Sequence, residues 1–272
     1  MYFAKKDSDR AIADFSEAIR LAPGNGAAYD IRGRQYYIRR DLNSASADYS
    51  KAVELDPKDA RHYNGCSSVY KAEGDLDRAF ADFTKGVERD PNNVFAYSAR
   101  GDVYRGKSAF DQAIADYNKA IAINPNYALA YDGRAIAYKA KGDFDAALAD
   151  FNKTIELDPG NAGAYNNRGG IYLGRRPREF DLTLADCSKA IEIIPTDGVA
   201  HTIRGNADKA KGDSDRALAD YNKAIALDPK DGTAYRKRGI LSEEKGDLAA
   251  AQADYKTADR FELQSLTSPK AK

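Results

Sequence analysis

The chain has 272 residues, and its 42 lysines and arginines balance 42 aspartates and glutamates, so the formal net charge is zero. This balance argues against a surface built to neutralise nucleic-acid phosphates or anionic lipids. Hydrophobic residues make up 43% of the chain, and no stretch approaches the roughly 18 consecutive apolar residues that a bilayer span requires. We therefore expect a soluble chain without membrane insertion, and because MYFAKKDSDR lacks the pattern of a signal peptide, the cytoplasm is the favoured compartment.

Prolines recur along the sequence at a fixed interval. Their positions are Pro23, Pro57, Pro91, Pro125, Pro159, Pro195 and Pro229. The steps are 34 residues, with a single step of 36 where the segment GRRPREF adds two residues. A constant period of this length indicates tandem supersecondary units that bury their apolar faces by stacking on one another.

In chain order, the period predicts a partial first repeat and seven full repeats. The boundaries are 1–25 for the partial repeat, about 26–59, 60–93, 94–127, 128–161, 162–197, 198–231 and 232–264 for the full ones, and 265–272 for a polar tail. The partial repeat supplies the second helix of a copy whose first helix is mostly missing. No clear solvating helix is expected after Ala258, and the tail LTSPKAK is expected to be disordered.

The repeat over 94–127 shows the design of one unit. Asn93 is a good helix N-cap, and apolar and small residues follow at three- and four-residue spacing, from Phe95 through Tyr104. A turn precedes a second run from Phe110 to Ile121 with the same helical period, and proline after Asn124 ends it. Each unit is therefore predicted to be a pair of antiparallel helices.

The pattern Tyr97-x-x-Arg100-Gly101-x-x-Tyr104, followed by Ala113-x-x-x-Tyr117 and Pro125, resembles the tetratricopeptide repeat. The resemblance covers nearly the whole chain, although tyrosine and arginine stand where the family usually has tryptophan and leucine. It implies an all-α fold, an α-α superhelix in the form of a right-handed solenoid of antiparallel helix pairs. It also implies a non-catalytic scaffold that grips extended or helical segments of partner proteins on its concave face.

One segment matches a phosphate-binding loop letter for letter. GDVYRGKS, residues 101–108, has the form of a glycine, four residues and then Gly-Lys-Ser. That chemistry needs a loop between a strand and a helix, whereas the period aligns Gly101 with Ser67 and Ala135, and Ser108 with Gly74 and Gly142. We interpret Gly101 as a small packing residue and Ser108 as the left-handed residue of a turn, and we expect no nucleotide binding and no other cofactor.

Two charged registers recur once per repeat. The aspartates are Asp14, Asp48, Asp82, Asp116, Asp150, Asp186, Asp220 and Asp254, and the arginines are Arg32, Arg100, Arg134, Arg168, Arg204 and Arg238. Because catalytic carboxylates would be unique, we predict a structural ladder of Arg–Asp pairs between helices. Cys66 takes an arginine position and Cys187 an aromatic position, so both are expected to be buried structural thiols. With His62 and His201 isolated, no metal site is expected.

The first helices of such an array line its inner surface. The residues predicted to form the partner-binding groove are Arg34, Arg61, Asn64, Lys71, Arg105, Lys139, Asn166, Asn167, Asn206 and Lys209, and Asp102, Asp132, Arg236 and Lys237 also project inward. Arg61, Lys71, Arg105 and Lys139 occupy neighbouring units, which suggests a partner protein or peptide of acidic or mixed character. The carboxylate-clamp constellation of chaperone-tail receptors is not found in three consecutive copies.

Three alternatives remain open at this point. The chain could be the regulatory or targeting arm of a larger multidomain protein, because it opens inside a repeat. Nucleic-acid binding in the basic part of the groove is disfavoured, since stacking aromatics do not interleave with the basic residues. Uncapped ends would expose apolar surface and allow end-to-end self-association.

Overall fold

The structure is a computed structural model that describes residues 2–175 and 178–267, with side chains described from 7 to 175 and from 178 to 263. Within these residues the chain forms α-helices and no strand. The helices are α1 (Tyr2–Leu21), α2 (Gly26–Ile38), α3 (Leu42–Leu55), α4 (Ala60–Glu73), α5 (Leu76–Arg89), α6 (Val94–Gly106), α7 (Phe110–Ile123), α8 (Ala128–Lys141), α9 (Phe144–Leu157), α10 (Ala162–Gly174), α11 (Phe180–Ile193), α12 (Gly198–Ala210), α13 (Ser214–Leu227), α14 (Gly232–Glu244) and α15 (Leu248–Thr267).

The chain divides into two compact units, residues 1–137 (unit 1) and residues 138–270 (unit 2), and the division falls inside α8. In unit 1, α2 pairs with α3, α4 with α5 and α6 with α7, and each second helix also packs on the first helix of the next pair. Unit 2 repeats this arrangement with the pairs α10–α11, α12–α13 and α14–α15. The predicted all-α class of stacked helix pairs is confirmed.

Short turns with left-handed backbone join the two helices of a pair. Gly74, Gly142, Gly212 and Gly246 have φ between 81° and 90°, and Arg40 and Ser108 adopt φ values of 64° and 59° at the same register. The sequence prediction for Ser108 is therefore confirmed. Arg176 and Pro177, the centre of the longer turn predicted in GRRPREF, lie outside the described residues.

Small residues let a second helix approach closely both the first helix of its own pair and that of the next pair. Tyr117 of α7 is completely buried between Gly101 and Gly133, where an added Cβ would lie 2.8 and 2.5 Å from atoms of the tyrosine ring. A Cβ added at Gly65 would lie 2.3 Å from the ring of Tyr49. An alanine at these positions would clash, which explains why glycine is placed in the middle of helices despite its low helix propensity.

The predicted Arg–Asp ladder is present within both units. In each of the following pairs two guanidinium nitrogens donate to the two carboxylate oxygens at 2.6 to 2.8 Å: Arg32–Asp48, Arg100–Asp116, Arg168–Asp186, Arg204–Asp220 and Arg238–Asp254. Four of these guanidinium groups also lie 5.5 to 5.7 Å from the ring centre of a tyrosine one turn earlier, namely Tyr29, Tyr97, Tyr165 and Tyr235. Bidentate geometry of this kind fixes the orientation of the paired helices.

The two terminal helices, with 20 residues each, are longer than the internal ones. Helix α1 runs without interruption from Tyr2 to Leu21. The period aligns residue 6 with the turn at Arg40, but in α1 this position is helical. Helix α15 extends to Thr267, and Phe261 packs on Tyr235 with ring centres 6.1 Å apart. Residues 265–267 of the predicted tail therefore belong to α15, and 268–272 lie outside the described residues.

Candidate functional site

Unit 1 carries two adjoining cavities on the side formed by its first helices. The larger has a volume of about 540 Å³ and the smaller about 340 Å³, and Tyr37, Ser68 and Phe95 line both. We call this continuous surface, formed by α2, α4, α6 and the beginning of α8, the unit 1 groove.

Two large apolar side chains are exposed in the unit 1 groove. Phe95 of α6 is 44% exposed and Leu129 of α8 is 60% exposed, and both line the larger cavity. Phe95 rests edge-on against the buried ring of Phe83, with centres 6.1 Å apart. Phe95 lies on the helix that its spacing predicted, and the exposed part of its side chain faces the cavity.

Asp102 is the centre of a polar network on the floor of the larger cavity. It accepts hydrogen bonds from Lys71 Nζ at 2.7 Å and from the Tyr117 hydroxyl at 2.8 Å, and Arg105 Nη2 lies 3.5 Å away. Burial, together with the charge of Asp102, raises the pKa of Tyr117 above its usual range. The Tyr117 hydroxyl therefore donates a hydrogen bond here and is not poised to ionise.

Two arginine side chains at the α2 end of the unit 1 groove have no ion-pair or hydrogen-bond partner among the described residues. Arg34 lines the smaller cavity and Arg40 the larger one. Both side chains are exposed. Free guanidinium groups at this end can donate hydrogen bonds to a bound carboxylate or backbone carbonyl.

Unit 2 has a cavity of about 510 Å³ at the corresponding face of α12 and α14. Asn206, Lys209 and Lys237 line it, with Leu173 and Ile240 as apolar neighbours. Lys209 Nζ pairs with Glu244 at 2.6 Å, and the Asn206 side-chain oxygen accepts a hydrogen bond from the Tyr221 hydroxyl at 2.9 Å. We call this surface the unit 2 cavity.

Sequence-family models match in both units. A model described as TPR repeat matches residues 101–142, 135–174 and 205–246, and a second, described as tetratricopeptide repeat, matches 1–25 and 61–93. Together these matches cover more than half of the sequence. The chain belongs to the tetratricopeptide repeat family.

Solved structures share the fold of this chain. YrrB, described as a TPR protein with an unusual peptide-binding site, is 28% identical with a TM-score of 0.55, over 68% of this chain and 95% of that one. Pseudomonas aeruginosa pilF is 16% identical with a TM-score of 0.71, over 80% and 97% of the two chains. A chain from the APC/C hetero-tetramer Cut9-Hcn1 is 16% identical with a TM-score of 0.76, over 86% of this chain and 46% of that one, so the present chain spans less than half its length.

A comparison with curated proteins gave no significant match. Tetratricopeptide repeats are in general protein-interaction scaffolds without catalytic activity. Among the described residues no helix is both long enough and apolar enough to cross a bilayer.

The predicted groove residues of the tetratricopeptide array fall into separate places. Arg34, Arg61 and Asn64 line the smaller cavity of unit 1, and Lys71 and Arg105 the larger one. Asn206 and Lys209 line the unit 2 cavity. Lys139 donates to Asn167 at 2.8 Å, and Asn166 is buried and donates to Asp197.

The four basic groups on which an acidic partner was predicted all have partners inside the chain. Arg61 is bound to Asp59, Lys71 and Arg105 to Asp102, and Lys139 to Asn167. Burial also lowers the pKa of Lys139. Sequence reasoning could locate these cations on the first helices, but it could not show that neighbouring side chains neutralise or engage them.

The segment GDVYRGKS does not form a phosphate-binding loop. Gly101 to Gly106 belong to α6, and the backbone N–H groups of Lys107 and Ser108 donate to carbonyls of Val103 and Arg105. Because a phosphate cradle needs these N–H groups free and convergent, the helical conformation accounts for the pattern without a nucleotide.

Both cysteines are buried and free. Burial raises the pKa of the Cys66 thiol to about 12 and that of Cys187 to about 12, so both stay protonated near neutral pH, as expected for structural thiols.

Within the described part of the chain, three side chains that could ligate a metal lie together, a grouping that the sequence pattern did not predict. Asp56, Asp59 and His62 place ligand atoms within 4.8 Å of one another. Asp59 already caps α4 and binds Arg61, Asp56 accepts from the backbone of Lys58, and His62 Nδ1 lies 3.1 Å from Asp30. These contacts give the group a structural role at the turn, and we assign no metal to it.

Proposed function

We propose that the chain is a non-catalytic scaffold whose unit 1 groove binds a segment of a partner protein. The observation that carries the proposal is the exposure of Phe95 and Leu129 inside a cavity with a polar floor. Large apolar groups surrounded by polar groups in a cleft are the usual anchors of protein interfaces. The similarity to YrrB, which is described as having a peptide-binding site, supports the same use of the fold.

The partner segment that fits this groove has mixed character. A large apolar side chain would cover Phe95 and Leu129, and donors at Arg34 and Arg40 would bind a carboxylate or backbone carbonyls at the α2 end. The chemistry of the floor supports binding over catalysis, because the pKa of Tyr117 is raised, which is opposite to the activation of a nucleophile or base.

The first prediction concerns Phe95. Partner proteins are captured with the full chain and identified by mass spectrometry. The segment of the partner that binds is then located by testing shorter peptides, and the affinity of the binding peptide is measured by titration. Phe95→Ala should weaken binding of that peptide about three- to tenfold. Complete burial of an aromatic side chain contributes about 1.5 to 3 kcal/mol, and the partner can cover the 44% of Phe95 that is exposed.

Phe144→Ala is the matched control for Phe95→Ala. Phe144 is an aromatic residue of the same exposure, 45%, at the start of α9 in unit 2, and it lines neither cavity of unit 1. Its replacement should leave the affinity unchanged. Equal affinity of the Phe95→Ala variant and the unsubstituted chain, with the fold intact by circular dichroism, would reject the unit 1 groove as the binding site.

A further inference from the structure

The larger cavity of unit 1 and the unit 2 cavity differ at one position of the repeat, and the residue at that position changes the charge of the cavity. Repeat periodicity aligns Asp102 of unit 1 with Asn206 of unit 2, and each accepts a hydrogen bond from a tyrosine of the paired second helix, Tyr117 or Tyr221. The bond lengths are 2.8 and 2.9 Å. The same structural role is therefore filled by a charged residue in unit 1 and by a neutral one in unit 2.

This exchange changes what the nearby cations can bind. In unit 1, Asp102 engages both Lys71 and Arg105. In unit 2, Asn206 carries no charge, and Lys237, which lines the same cavity, has no ion-pair or hydrogen-bond partner among the described residues.

The other charges around the unit 2 cavity leave it positive. Arg178, Lys209 and Lys237 line it with a single acid, Glu244, which pairs with Lys209 and is itself 55% exposed. A carboxylate in the cavity would meet Lys237 directly and could accept a hydrogen bond from the Asn206 amide nitrogen, since the amide oxygen is already used by Tyr221.

We propose that the unit 2 cavity is a second binding site that accepts an acid-rich protein segment, and that Asn206 is the residue that permits it. The inference rests on the proposed scaffold function but uses a different unit and different residues. An acidic peptide fits better than a nucleic acid because no aromatic side chain lines the cavity to stack on bases, while Leu173 and Ile240 can contact aliphatic side-chain stems.

The test uses a fluorescein-labelled decaglutamate peptide and the full chain in an anisotropy titration at low salt. The unsubstituted chain should bind the peptide saturably, and Asn206→Asp should weaken binding at least tenfold because it places a carboxylate beside the cavity cations. The variant should fold, since the Asp102–Tyr117 contact already shows an aspartate in this role. Lys237→Ala should weaken binding in the same direction.

Lys223→Ala is the matched control. Lys223 is an exposed lysine of α13 in unit 2 that does not line the cavity, so its loss removes the same charge without touching the site. Equal weakening by Lys223→Ala and Lys237→Ala, or unchanged binding in Asn206→Asp, would overturn the inference. Tighter binding of a decameric oligouridylate than of decaglutamate would overturn the peptide assignment.

The outcomes separate this inference from the proposed function of unit 1. Phe95→Ala should leave decaglutamate binding unchanged, and Asn206→Asp should leave binding of the apolar partner segment in the unit 1 groove unchanged.

Discussion

At the residue scale, one departure from the repeat pattern exposes the cost of burying a carboxylate without its usual partner. Asp82 stands at the register of the paired aspartates, but Cys66 replaces the arginine that would bind it. Burial raises the pKa of Asp82, and its contact with Lys85, at 3.4 Å, only partly opposes this. By contrast, Asp116 binds Arg100 through two hydrogen bonds.

These two aspartates should therefore respond differently to the same substitution. Asp116→Asn removes the charged partner of a largely buried arginine and should lower the free energy of unfolding by about 1 to 3 kcal/mol at neutral pH. Asp82→Asn should leave stability unchanged or raise it. Urea unfolding of both variants checks the contrast, and equal destabilisation would contradict our account of the missing arginine.

The pH dependence of Asp82→Asn follows from the raised pKa. The folded state binds a proton at Asp82 more readily than the unfolded state, so this carboxyl favours folding at low pH and opposes it as the pH rises through the folded-state pKa. Asparagine is neutral throughout. Its stabilising effect should be present at pH 7 and vanish below the unfolded-state pKa of about 3.9.

Contacts of individual side chains determine how much of the candidate site the sequence could predict. Periodicity placed Arg34, Lys71 and Arg105 on the correct helices, because a helix position fixes which face a residue occupies. It could not show that Lys71 and Arg105 both meet Asp102, since that depends on side-chain contacts between repeats. Phe95 and Arg40 were not predicted as groove residues. Phe95 could have been found because it occupies the same repeat position as the predicted groove residue Arg61. Arg40 could have been found because it is an arginine at the position of a left-handed turn.

At the element scale, most helices begin with a side-chain cap that the sequence predicts well. Asp41, Asp75, Asp143 and Asp213 begin the second helices and accept a backbone hydrogen bond from the residue three positions later. Ala109 occupies the same register before α7, with similar backbone angles of −85° and 65° and no cap. At the start of α7, the backbone N–H that a cap would bind therefore has no side-chain acceptor at the cap position.

Ala109→Asp should therefore stabilise the chain. Its carboxylate would accept from the backbone N–H of Gln112 and favour the positive end of the helix, and replacing alanine by a good N-cap contributes about 0.5 to 2 kcal/mol. The midpoint of urea unfolding should rise accordingly.

Ala109→Glu is the control for the cap, because Glu179 precedes α11 at the same register and makes no side-chain cap hydrogen bond. It adds the same charge without the cap geometry and should stabilise less. If the two variants were equally stable, the effect would come from charge alone and the capping argument would fail.

The sequence predicted the helices and their pairing but not where the terminal helices end. Internal helices have a proline or a left-handed turn at each boundary, which a period reveals. Helix α15 continues past Ala258 to Thr267, two residues before Pro269. Contacts hold this extension: Arg236 binds Asp259 and Glu262, and Phe261 packs on Tyr235. These contacts are made with the preceding helix, so the local sequence pattern of α15 does not predict them.

At the scale of the whole molecule, the repeat explains why a chain of ordinary composition needs no single large core. Each pair buries alanines and one aromatic or cysteine against its neighbours, as Ala113 and Tyr117 do in unit 1 and Ala217 and Tyr221 in unit 2. The first helices are thereby left with a face that packing does not require. We propose that the charge difference on that face, Asp102 against Asn206, gives the two units different binding properties.

The central claim is that the faces formed by the first helices, not the second helices, carry the binding function. Hydrogen–deuterium exchange of the full chain, with and without the partner segment that binds it, tests this most directly. Our account predicts increased protection in α2, α4, α6 and the beginning of α8, around Phe95. Protection confined to α3, α5 and α7 would contradict it.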